Sequence, residues 1–88
     1  MTEYKRSYII KKVKESIVSQ LKKSTFYDNI SPDKINMEIG LAELGLDSFS
    51  LVDLVVGLGK RFQRDDIYNK MLDKNYFNGN GLVEVISS

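Results

Sequence analysis

The sequence predicts an all-α fold: a small bundle of three to four helices with a long loop between helices one and two. Three observations lead there. Two separate stretches carry apolar residues at three-and-four spacing. The segment between them has apolar residues but no sustained periodicity. The chain has 88 residues, 42% of them hydrophobic and 28% charged, which suits one hydrophobic core and argues against disorder. Repeats and low-complexity segments are absent, so residues 1–88 are read as a single domain.

The first helix is expected over residues 4–23. Ile9, Ile10, Val13, Ile17 and Leu21 gather on one side at 100° per residue, with Lys11, Lys12, Glu15 and Lys22 opposite. Ser24 and Thr25 are poor helix formers, and Asp28-Asn29 and Ser31-Pro32-Asp33 are turn chemistry. From 24 to 47 the chain reads as a loop pinned by Ile30, Ile35, Met37, Ile39, Leu41, Leu44 and Leu46, with one short helical turn near Leu41–Leu44. So long a loop is uncommon in a small domain unless it is functional.

The second helix is expected over 48–62, with Asp47 as its N-cap because a carboxylate there can accept from the first-turn amides. Leu51, Leu54, Val55, Leu58 and Phe62 fall in one sector and should face the core. The opposite side carries Phe49, Asp53, Val56 and Lys60, with Val52 at its edge. Large apolar residues on an exposed side point to a docking surface. Gly57 and Gly59 each cost about 1 kcal/mol relative to Ala inside a helix, and leave room for another element to approach. Asp65-Asp66 can cap a short helix over 66–72, Asn78-Gly79-Asn80-Gly81 reads as a turn, and Leu82, Val83, Val85 and Ile86 read as a last short helix.

Composition removes whole classes of function. The chain has no Cys and no His, so it offers no disulfide, no zinc–thiolate site and no thiol nucleophile. General acid–base work would need a strongly shifted Lys, Asp or Glu, and the protein is not expected to be an enzyme. The Tyr8-Ile9-Ile10 run is too short for a secretory core and Leu54–Gly59 too short for a membrane span. A cytoplasmic protein that does not bind membranes is expected. The formal net charge of +1 hides an asymmetry: residues 1–23 hold seven basic and two acidic side chains, and residues 24–88 six basic and ten acidic. Lys-rich helix faces are ordinarily solvated surface. Nucleic-acid binding through the basic first helix is the alternative, though no aromatic residues interleave to stack on bases.

Two motifs invite chemistry. Asp73 to Glu84 has the length of an EF-hand loop, with Asn75 third. Phe77 stands where an oxygen ligand is needed, Asn78 where the turn wants Gly, and Asn80 where an aliphatic residue belongs. No metal site is expected. Ser48 has no His to activate it as a nucleophile. It does open a helix directly after a long loop, where an attached anion would lie in the positive field of the helix N-terminus. The position suits a serine that carries a phosphate ester.

The run Leu44-Gly45-Leu46-Asp47-Ser48-Phe49-Ser50-Leu51-Val52-Asp53-Leu54 resembles the phosphopantetheine attachment motif of acyl carrier proteins and the related peptidyl carrier proteins, Leu-Gly-x-Asp-Ser followed by x-x-x-Val-Glu/Asp-Leu. Phe62 matches a Phe near the end of the family's second helix, and the order of elements extends the likeness over nearly the whole chain. The resemblance implies that Ser48 is esterified with 4′-phosphopantetheine from coenzyme A by a phosphopantetheinyl transferase, and that the thiol of the arm holds acyl or aminoacyl groups. A chain without cysteine would then borrow its thiol from a cofactor.

The resemblance also implies that Gly45 belongs to the motif, that Asp47 helps present Ser48, and that Asp53 pairs with basic residues on partner enzymes. Phe49, Val52 and Val56 match apolar positions against which partners pack. A loading ligase and downstream biosynthetic enzymes are the partners implied, with the carrier itself a monomer. Gly59, Lys60 and Arg61 depart from the glutamates that usually end this helix, and no Ile-Pro follows it. Rim charges govern partner choice more than raw affinity, so a dedicated partner set in a specialised pathway is expected. The cargo, acyl or aminoacyl, stays open at this point.

Overall fold

The computed structural model describes residues 4–24, 31–74 and 77–87. Four helices form: α1 (Arg6–Ser24), α2 (Ser48–Phe62), α3 (Ile67–Lys74) and α4 (Gly79–Ser87), with a single 3-10 turn at Pro32–Lys34. The described residues contain no strand, only an isolated antiparallel bridge between Gly40 and Asn78. The fold is the all-helical bundle that the spacing predicts.

On α1, Ile9, Val13, Ile17 and Leu21 are buried as expected, joined by Val18 and by Gln20, while Ile10 lies at the margin. This stripe packs against α2, α4 and the 3-10 turn, and α3 packs against α2 and α4. Leu54, Leu58, Ile67, Met71 and Leu82 complete the interior with 1% exposure or less. Each fully buried aliphatic side chain of this kind stabilises the fold by about 1.5–3 kcal/mol before entropy is set against it. Leu51, predicted to face the core, is only partly buried, and Ser50 takes an interior position instead.

The start of α4 corrects the sequence reading. Gly79–Gly81 form the first turn of the helix, because the Asn78 side chain accepts the Gly81 amide at 2.7 Å and its carbonyl accepts the Leu82 amide at 3.1 Å. Asn78 is therefore an N-cap. Gly79 has a packing reason to lack a side chain: the Met37 thioether occupies the space a Cβ would fill. Glycine's poor helix propensity is outweighed by that contact.

Beyond Phe62 the chain reverses through Gln63, in the left-handed region at φ 56°, whose amide donates to the Gly59 carbonyl. The Arg64 amide reaches the same carbonyl at 2.8 Å, and the Arg64 carbonyl comes so close to Gly59 that a Cβ there would collide with it. Arg64 then ties three elements. Its guanidinium donates to the Val85 and Ile86 carbonyls at 2.6 and 3.0 Å, and grips Asp66 through Nε and Nη2 at 3.0 and 2.8 Å. The Asp66 carbonyl accepts the Lys70 amide, which opens α3. The hydrogen bonds from Arg64 hold the Asp66 carboxyl at about 2. At the opposite margin Tyr4 and Tyr8 stack, and both meet the Phe62 ring edge-on.

Candidate functional site around Ser48

The segment before Ser48 is held in place at several points. Ile35, Leu41 and Leu46 are buried, and Met37 and Leu44 pack against the core from its edge. Ile39 is only half-buried, and Thr25, Asp28-Asn29 and Ile30 lie outside the described residues. The Leu41 amide donates to the Phe77 carbonyl at 2.8 Å and the Asn80 amide to the Met37 carbonyl at 3.0 Å, fastening the segment to the start of α4. Leu44, Gly45 and Leu46 donate back to Gly40, Ala42 and Leu41, closing a helical turn where one was expected. Gly45 ends that turn with φ 113°, a conformation side chains strongly disfavour. The motif glycine thus turns the chain toward α2.

Asp47 follows in extended conformation, and its carboxylate accepts the Ser50 amide at 2.8 Å, capping the helix as predicted. The Ser50 amide, then the Ser50 hydroxyl and, more weakly, the Phe49 amide hold the Asp47 carboxyl below its ordinary value. Ser48 is the first residue of a 15-residue helix, and it is exposed. Its hydroxyl enters no hydrogen bond with any described residue. A phosphate ester fits there: the oxygen faces solvent, no contact must break to free it, and the positive end of α2 lies alongside.

The remaining site residues share the outer face of α2. Phe49 is 84% exposed, Val56 49% and Val52 46%, and Asp53, Gly57, Lys60 and Arg61 are exposed with them. From Ser48 to Lys60 the helix rises about 18 Å. Along that line come a hydroxyl, an apolar patch with one carboxylate, and two cations. Gly57 has open space where a Cβ would stand, so the helix is bare in the middle of this face.

Two residues of this surface escape the sequence reading. Tyr68 and Leu72 on α3 are 41% and 50% exposed and stand one turn apart. Between α2 and α3 runs an open groove of about 560 Å³, in which Val55, Val56, Ile67 and Tyr68 supply apolar walls and Lys60 lies at the rim. The signal was available: Tyr68 and Leu72 repeat at i, i+4 beside the buried pair Ile67 and Met71.

Elsewhere the charges find ordinary partners. Arg6 pairs with Glu84, the last residue of the EF-hand-like run, of which Asn75 and Tyr76 lie outside the described residues. Lys12 pairs with Glu15 at 3.2 Å and lies over the Tyr8 ring. Lys22 and Lys23 occupy the last turn of α1, where the helix dipole favours cations. Among the described residues no three His, Cys, Asp or Glu side chains converge, and no helix is long and apolar enough to cross a membrane. Comparison of the chain with protein families, with curated proteins and with solved structures finds no match.

Proposed function

We propose that this chain is a discrete carrier protein, a covalent shuttle of acyl intermediates between biosynthetic enzymes, with 4′-phosphopantetheine esterified to Ser48. One observation carries the reading: within the motif-like run from Leu44 to Leu54, the Ser48 hydroxyl opens α2 exposed and without a hydrogen-bond partner among the described residues. In the transfer the bond from Ser48 Oγ to phosphorus forms and the pyrophosphate bond of coenzyme A to its adenosine 3′,5′-bisphosphate half breaks. The hydroxyl proton leaves to a base on the transferase. Gly45 sets the turn, Asp47 holds the first helical turn closed, and Phe49 stands beside the hydroxyl as an apolar contact for the transferase. When attached, the arm supplies a thiol that carries acyl groups as thioesters, chemistry a cysteine-free chain lacks.

The apolar walls of the groove between α2 and α3 favour an acyl cargo over an aminoacyl one. The chain itself performs no catalysis in this scheme. It works with a transferase, a loading ligase and downstream enzymes, in the cytoplasm and as a monomer. Purified protein incubated with coenzyme A and a promiscuous phosphopantetheinyl transferase should gain one phosphopantetheinyl group by intact mass. The Ser48→Ala protein should gain none while keeping the same helical circular dichroism. An unmodified wild-type chain that instead binds polyanions with steep salt dependence would replace the carrier by a nucleic-acid-binding module.

A further inference from the structure

The outer face of α2 is polarised along its length. Its first half offers Phe49, Val52 and Val56 to solvent, and its last turn offers Lys60 and Arg61. Neither cation forms an ion pair with a described residue, whereas Arg6, Lys12, Arg64 and Lys70 all do. The face holds a single carboxylate, Asp53, two turns before Lys60. A second copy of this chain docking on the same face would bring one carboxylate to two cations, and so leave the pair electrostatically unsatisfied. Between the two halves Gly57 removes the side chain from an exposed position, with no internal contact that requires it. Beside it the groove opens toward Tyr68.

We infer that this face docks a helix of a partner protein that is apolar at its centre and acidic where it meets Lys60 and Arg61. Its apolar side chains cover Val52 and Val56 and enter the groove beside Tyr68, its backbone approaches over Gly57, and its carboxylates face the two cations. The inference deepens the carrier reading, on which it rests for the identity of that partner as a cargo-handling enzyme. Charge at the rim of such a contact governs selection and encounter rate. Enzymes presenting a basic patch at that place are rejected, and the polarity marks the partners as a dedicated set.

The test uses two synthetic amphipathic helical peptides with one apolar face in common, one rimmed by Glu and the other by Lys, titrated into the isotope-labelled full chain by NMR. The Glu-rimmed peptide should shift the amides of Gly57, Lys60, Arg61 and Tyr68, and bind about tenfold more tightly than the Lys-rimmed one at low salt, with the ratio shrinking as ionic strength rises. Lys60→Glu with Arg61→Glu should invert the preference. The milder Lys60→Gln with Arg61→Gln should abolish it with the helical spectrum unchanged. Equal binding, no binding, a preference for Lys, shifts centred on Lys22 and Lys23, or self-association that protects α2 would each overturn the inference. Peptide binding does not need Ser48, so Ser48→Ala should bind as wild type. A chain that binds the Glu-rimmed peptide yet resists phosphopantetheinylation keeps this surface and loses the carrier reading, and the converse result does the opposite.

Discussion

The hydrogen bond from the Ser50 amide to the Asp47 carboxylate, 2.8 Å long, closes the first turn of α2 and leaves the intervening Ser48 hydroxyl facing solvent. Cap and candidate attachment point are therefore neighbours with separate duties. Asp47→Ala should lower the urea midpoint by removing the acceptor, and Asp47→Asn should restore most of it. The carboxyl is held below its ordinary value, so its contribution is present above the unfolded-state pKa and disappears as pH falls through the lower folded value. A midpoint unchanged in Asp47→Ala at neutral pH would deny the cap any weight.

The two helical glycines should respond in opposite directions. Gly57→Ala meets open space and should stabilise the fold by about 1 kcal/mol. Gly59→Ala drives a methyl group into the Arg64 carbonyl and should destabilise by about 1–3 kcal/mol. Urea denaturation of both variants in one buffer reads the difference. Equal shifts would mean that the close approach at Gly59 has no energetic consequence.

Arg64 and Asp66 supply a pH-dependent pair. The Asp66 carboxyl lies at about 2, first because Arg64 hydrogen-bonds to it. A depressed pKa adds stability that is complete above the unfolded value of about 3.9 and is lost as pH falls through the folded value. Asp66→Asn should therefore be less stable than wild type at pH 7, and the gap should close between about pH 4 and 2. The Asp66 side chain is 39% exposed, so the gap should be modest and shrink in salt. A gap constant from pH 7 to 2 would assign the effect to something other than charge.

Losing Arg64 itself should cost more. Arg64→Ala strips its donor from the Val85 and Ile86 carbonyls at the end of α4 and unties Asp66, while Arg64→Lys keeps the charge but not the planar fork. The side chain is only 19% exposed, and hydrogen bonds from charged groups contribute about 1.5–3 kcal/mol. Arg64→Ala should lose about that much, with Lys recovering part of it. Hydrogen exchange should accelerate first at the end of α4.

Local rules made the first two helices legible. The stripe Ile9, Val13, Ile17, Leu21 and the cap at Asp47 are signals a few residues long, and both elements lie where those signals put them. The motif run and its outer face were readable for the same reason. What escaped depends on contacts between distant residues. Nothing near Gly79 announces that Met37 fills the place of its side chain, so a helix start looked like a turn. Arg64 finds its acceptors 21 and 22 residues away. Tyr68 became part of the candidate surface only when α3 packed beside α2 and the groove formed between them.

The fastening of the 35–46 segment to the start of α4 orders events in time. The Leu41 amide has its acceptor at Phe77, and the Met37 carbonyl its donor at Asn80. During synthesis the chain leading into Ser48 cannot settle until those later residues have left the ribosome. An enzyme that meets the nascent polypeptide earlier encounters a serine not yet poised on any scaffold.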